Sequence, residues 1–130
     1  MSDKQNNIDM VTRVERINPY VNVADISTSL RYYVDVLGFD QYVETPNLGI
    51  VENDEHQIHM RLREDEKGSN RIWIGVENIE FLYKQYKING AIINQEPTNY
   101  SWAYQMIIED LDGNLLIYGS GPKDDLPFQD

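Results

Sequence analysis

The chain has 130 residues, of which 11 are Lys or Arg and 22 are Asp or Glu, giving a formal net charge of −11. Nucleic acid and anionic membranes repel such a polyanion, so neither is expected as a partner; the charge serves solubility or a cationic small molecule. Without cysteine there are no disulfides, thiolate metal sites or cysteine nucleophiles, and with neither an apolar leader in Met1–Asn7 nor a membrane-length apolar run a cytoplasmic protein is expected.

Residues 1–15 are polar and read as a flexible N-terminal segment. From Ile17 to Val23 the sequence alternates. Ile17, Pro19, Val21 and Val23 fall on one face of a strand, and Asn18, Tyr20 and Asn22 on the other. Pro19 argues for an edge position. Asp25 or Ser27 caps a helix that runs through Leu37, with Leu30, Tyr33, Val34 and Leu37 at helical spacing and Gly38 as its stop. Short strands follow at Phe39–Glu44, Gly49–Glu52 and His56–Arg63, the last two joined by a turn at Asn53-Asp54. Glu64–Asn70 is a charged loop.

The pattern then recurs. Arg71–Val76 alternates, and Glu77–Asn89 has Ile79, Leu82, Tyr83 and Tyr86 on one helical side before Asn89-Gly90 stops it. Ala91–Asn94 reads as a strand, a proline-containing loop crosses to Trp102, and a final hairpin closes the unit. Asp112-Gly113-Asn114 is expected to supply its positive-φ residues. The order is βαβββ twice, which predicts an internally duplicated α+β domain over 16–120, with modules at about 16–63 and 71–120. Residues 121–130, with Gly121, Pro122 and Pro127, read as a C-terminal tail.

Three segments carry a resemblance. They are Asn18–Phe39, with Val23-Ala24-Asp25-Ile26, Tyr32-Tyr33 and Leu37-Gly38-Phe39; Trp73–Tyr83; and Trp102–Tyr118. In order and spacing they resemble the vicinal oxygen chelate superfamily of glyoxalases, extradiol dioxygenases, fosfomycin-modifying enzymes and bleomycin resistance proteins. The resemblance implies two modules whose mixed sheets curl around a concave cavity, and a homodimer that completes it. It also implies four metal-ligand positions, which here carry Asn18, His59, Arg71 and Ile117. Asn is a poor ligand for first-row metals, Arg is a permanent cation and Ile has no donor. No catalytic metal or other cofactor is therefore expected. The bleomycin resistance proteins look nearest, through Pro19, Trp73 and Trp102. They imply sequestration of a small aromatic or antibiotic-like molecule without catalysis. The alternative is a divergent metal-dependent lyase or dioxygenase.

Candidate ligand-binding residues follow. Arg71 and Trp73 are two apart on one strand and share a face, so a guanidinium and an indole could hold a planar ligand. An ion pair and a core-filling Trp are the plainer alternative. Trp102 is read as a wall of the cleft, Tyr20 as sharing the Asn18 face, and Gln105 as a polar contact beside Ile107. His59 is a candidate hydrogen-bond partner, and with Arg61 and Arg71 it adds positive groups suited to a carboxylate or phosphate. His56 lies on the opposite strand face. Asp110 is expected to cap the last turn, and Tyr32, Tyr33, Tyr83 and Tyr86 to pack the helices.

Overall fold

The computed structural model describes residues 12–66 and 68–130. Most of the N-terminal segment read as flexible, residues 1–11, lies outside the described residues. The elements are β1 (Tyr20–Val23), α1 (Ile26–Arg31), β2 (Asp40–Glu44), β3 (Leu48–Asn53), β4 (His56–Leu62), β5 (Arg71–Gly75), α2 (Ile79–Asn89), β6 (Ile92–Asn99), β7 (Tyr104–Glu109) and β8 (Leu115–Ser120). They form two four-stranded sheets, ordered β1-β4-β3-β2 and β5-β8-β7-β6. Each is mixed, because β1 runs parallel to β4 and β5 parallel to β8 while the other pairs are antiparallel. Two βαβββ modules with unclosed sheets are the expected architecture. Among the described residues no helix is long and apolar enough to cross a membrane.

The alternating positions sort as the sequence implies. Val21 and Val23 of β1, Met60 of β4, Met106 and Ile108 of β7, and Leu116 and Tyr118 of β8 are buried and meet Leu30, Tyr33, Ile79 and Tyr86 of the helical segments in one cluster. Asp25 caps α1, accepting from the Thr28 backbone N–H at 2.9 Å. The helix then widens into a π-turn over Tyr32–Val36. Tyr32, Tyr33 and Tyr86 are buried helix-packing residues as predicted, and Tyr83 is half-buried.

Four details differ from the sequence reading. The first strand begins at Tyr20, and Ile17 is 88% exposed. The last ladder bond there runs from the His59 N–H to the Pro19 carbonyl, although β4 itself continues back to His56. Second, β6 continues through Pro97 to Asn99, where a loop was expected. It is an edge strand with irregular register after Ile93 and Gln95, so a missing proline N–H is tolerated. Third, of Asp112, Gly113 and Asn114, only Gly113 takes positive φ, at 91°. Fourth, residues 121–130 form no helix or strand but are tied to the rest of the chain: Asn99 Nδ2 donates to the Lys123 and Leu126 carbonyls, both at 3.0 Å.

The turn Asp110–Asn114 needs few left-handed residues because side chains hold it. Asp110, 1% exposed, accepts from the Asp112 and Asn114 backbone N–H groups, from Asn114 Nδ2 at 2.9 Å and from the Tyr33 hydroxyl at 2.8 Å. The expected capping role of Asp110 is thus observed, and it reaches into the first module. Asp112 extends the link, accepting from the Ala24 N–H at 2.9 Å and the Ser29 hydroxyl at 2.5 Å. Asn114 Nδ2 donates to the Asn22 carbonyl, and the Asn22 N–H donates to Asn70 Oδ1, so asparagines cover the outer edge of β1.

Candidate functional site

Each sheet packs one face into the core. In the first sheet the strand register puts Tyr20 beside His59, and Asn22 beside Arg61, on the other face, where Tyr20 is half exposed and Asn22, Gln57 and Ile50 are buried. The Tyr20 and His59 rings are 5.0 Å apart and tilted by 46°. His59 Nε2 lies 3.3 Å from Gln57 Oε1, and Gln57 Nε2 donates to Glu52 at 3.0 Å. Arg61 Nε donates to Asn22 Oδ1 at 3.3 Å. On this face His59, Gln57 and Glu52 form one hydrogen-bonded row, and Arg61 with Asn22 a second pair.

Burial pushes the His59 imidazole below its ordinary 6.5. The unfolded chain therefore binds this proton more readily. The stabilising contribution is complete above 6.5 and is lost as pH falls toward the folded value. NMR titration of the His59 ring is expected to give a midpoint below 6.5; a midpoint at or above it would mean that the ring is wetter or better paired with anions than its surroundings indicate.

The open face of the second sheet is different in character. Trp73 pairs with Ile117, and Ile117 with Ile107, while Gln105 pairs with Gly119. Trp73 is 53% exposed, yet it does not wave in solvent. Its six-membered ring lies flat over Gly119, so close that a Cβ there would overlap the ring and come within 2.8 Å of Cζ3. Glycine in the neighbouring strand is what lets an indole lie down on the sheet. The result is a flat aromatic surface bordered by Ile117, Ile107 and Gln105. Arg71 opens the same strand two residues earlier, exposed and without an ion pair among the described residues.

Across the sheet, at the β6 margin, Trp102 stacks on Tyr100 with centroids 4.6 Å apart and planes within 7°. Gln95, whose strand partner is Ile107, donates from Nε2 to the Tyr100 hydroxyl at 2.9 Å. In the sheet order β5-β8-β7-β6 the two lie towards opposite edges, the Trp73 ring over β8 and the Tyr100–Trp102 pair in the turn that follows β6. Sequence reasoning missed Tyr100 and Gln95. The Gln95 Oε1 is buried without a hydrogen-bond partner among the described residues. Its signal was hidden because the segment read as a loop, and only the register of β6 gives Gln95 a face.

A cleft of about 1020 Å³ opens between the modules beside the free edge of β5. Its lining takes in Asn18, Trp73, Phe39, Phe81 and Tyr86, but not Tyr20, His59, Arg71, Trp102 or Gln105. The candidate residues thus fall into three groups: Tyr20 with His59 on the first sheet; Arg71, Trp73 and Gln105 on the second with Trp102 at its margin; and Asn18 at the cleft, which Trp73 borders from the second sheet.

The four positions at which the fold would hold a metal do not fit one. Ile117 lies between Trp73 and Ile107 and offers no donor; Arg71 brings a fixed positive charge; and His59 is engaged with Gln57. Among the described residues no three His, Asp or Glu side chains gather into a metal-holding group.

The fold is widely shared. An antibiotic binding protein from a Streptomyces species has the same fold with a TM-score of 0.74 at 18% identity, over 85% of this chain and 98% of that one. A virulence protein from Salmonella typhimurium matches at 0.69 and 23% identity, over 85% and 99%. A glyoxalase/bleomycin resistance protein/dioxygenase from Nocardioides matches at 0.69 and 17% identity, over 99% of both chains. No curated protein matches the sequence significantly. The family description Glyoxalase/Bleomycin resistance protein/Dioxygenase superfamily matches residues 8–118, and with two βαβββ modules in its fold the chain belongs to that superfamily.

Proposed function

We propose that this protein binds and sequesters a small, flat aromatic molecule of antibiotic type, without chemical conversion, on the open face of the second sheet. The observation that carries the reading is Trp73, half exposed yet held flat against the sheet by Gly119. An aromatic side chain with its rotamer already fixed loses little entropy when a ring stacks on it. Ile107 and Ile117 continue the surface, and Gln105 and Arg71 offer polar contacts at its edges. The charge of −11 favours cations at long range, while Arg71 at close range favours a ligand that also carries an acceptor. An antibiotic-binding neighbour of the same fold is in keeping with this reading. Because β5 is an edge strand and the face beside it is open, we further propose that a second copy covers the face in a homodimer.

The test is fluorescence titration with bleomycin and an anthracycline as cationic probes and a naphthalene sulfonate as an anionic one. At least one is expected to quench Trp emission saturably, with affinity reduced at least about tenfold by Trp73→Ala, the cost typical of an aromatic anchor. Absence of quenching across all three would count against the proposal. Quenching that survives Trp73→Ala unchanged would move the site elsewhere.

A further inference from the structure

The turn that carries Trp102 is held from outside the sheet. The Tyr100 N–H donates to the Ala103 carbonyl at 2.8 Å, which closes a tight turn with Ser101 and Trp102 at its tip. That bond fixes the turn's own shape, and the Gln95 amide, donating to the Tyr100 hydroxyl at 2.9 Å, ties it to β6 on one side. A second set of bonds comes from residues 121–130. Asn99, just ahead of the turn and only 4% exposed, accepts from the Lys123 N–H at 2.8 Å and donates to the Lys123 and Leu126 carbonyls. Its own carbonyl accepts from the Gln129 N–H at 2.8 Å. The Asp130 carboxylate then accepts from both the N–H and the hydroxyl of Ser101, at 2.9 and 2.7 Å. On the helix side, Lys123 Nζ stands 5.2 Å over the Tyr104 ring and 3.7 Å from Glu80.

We infer that residues 121–130 are a strap that positions the Tyr100–Trp102 pair, with Asn99 as its anchor and Asp130 as its clasp. A segment with no regular structure takes its fixed shape from such contacts, and among the described residues its hydrogen bonds fall on Ser101 of the turn or on Asn99 just before it, while Lys123 adds its contacts to Glu80 and Tyr104. The hydrogen bonds of the Asp130 carboxylate among the described residues go to Ser101. Asp130 is a positioning residue, acting through Ser101 on the residue next to it. Its effect on ligand binding rests on the function proposed above; its effect on Trp102 does not.

The strap is tested by Asp130→Ala in the full chain, with a second variant lacking residues 126–130. In a Trp73→Phe background Trp102 is the remaining indole, so its fluorescence anisotropy and near-UV circular dichroism report on the turn alone. Both variants are expected to lower the Trp102 anisotropy and to remove much of the dichroism of the stacked pair, while far-UV dichroism stays unchanged. With Trp73 present, each should weaken by several-fold whichever of bleomycin, the anthracycline or the naphthalene sulfonate the parent chain binds. Unaltered anisotropy and near-UV dichroism in Asp130→Ala would overturn the strap, and if the shorter variant unfolds, Asp130→Ala still decides because the hydrogen bonds it removes are those to Ser101. Should the parent chain bind none of the three probes, the function proposal falls, and the optical readouts still decide the strap.

Discussion

Asp110→Ala is expected to cost about 3 kcal/mol or more of folding stability, a large share of the roughly 5–15 kcal/mol available to a domain of this kind. The side chain is 1% exposed and accepts four hydrogen bonds, two from backbone N–H groups of the turn, one from Asn114 and one from the Tyr33 hydroxyl. Alanine would leave those donors without an acceptor where water does not easily follow. Urea denaturation should give a lower midpoint with an unchanged slope; a midpoint within error of the parent would mean that the turn is held by Gly113 and packing alone. The group also has a distinctive pH signature. Burial raises the Asp110 carboxyl above the usual 3.8, although Asn114, Tyr33 and the turn N–H groups oppose the shift. The folded chain therefore holds this proton more tightly than the unfolded chain. The stabilising contribution of that proton is complete below 3.8 and fades as pH rises through the folded value. Asp110→Asn should remove this slope from the stability profile.

Gly119→Ala is expected to damage binding far more than folding. The added methyl would occupy the space of the Trp73 six-membered ring, so the indole must stand up from the sheet. Affinity for an aromatic probe should fall about tenfold to a hundredfold, the range for losing an aromatic anchor. The backbone at this position does not require glycine, and alanine recovers some of the roughly 0.5–1 kcal/mol that glycine costs within a strand. Stability should change little. Gly75→Ala is the matched control, since a Cβ there meets Trp73 Nε1 at an ordinary 3.8 Å. Equal affinities for the two variants would show that the flat indole is not the binding surface.

The strands were legible in the sequence because alternation at Val21–Val23 and Tyr104–Ile108 translates directly into one buried and one open face. The helices were legible through Asp25 and the spacing of Ile79, Leu82 and Tyr86. What could not be read was set by contacts between distant residues. The π-turn at Tyr32–Val36 brings Tyr33 to Asp110 and Tyr32 to the Glu109 carbonyl, and nothing local announces it. Pro97 disguised β6 as a loop, which hid Gln95 and Tyr100. The spacing of Arg71 and Trp73 gave a shared face but not the role of Gly119, because that glycine lies on a neighbouring strand and its value appears only in register. His59 and Tyr20 were identified singly, and their mutual packing follows from the parallel pairing of β1 with β4.

The link between the modules has a consequence for how the chain is made. Asn114 bonds to Asn22 at a sequence separation of 92, Asp112 to Ala24 at 88, and Tyr33 to Asp110 at 77. Such contacts give a high contact order, and the loop between them must close before they yield any gain. A nascent chain that has completed its first four strands still lacks the partners for the Asn22 carbonyl and the Ala24 N–H. They emerge only with the final hairpin. Until then those two backbone groups of the first module lack their native partners, in the interval when chaperones or aggregation compete with folding.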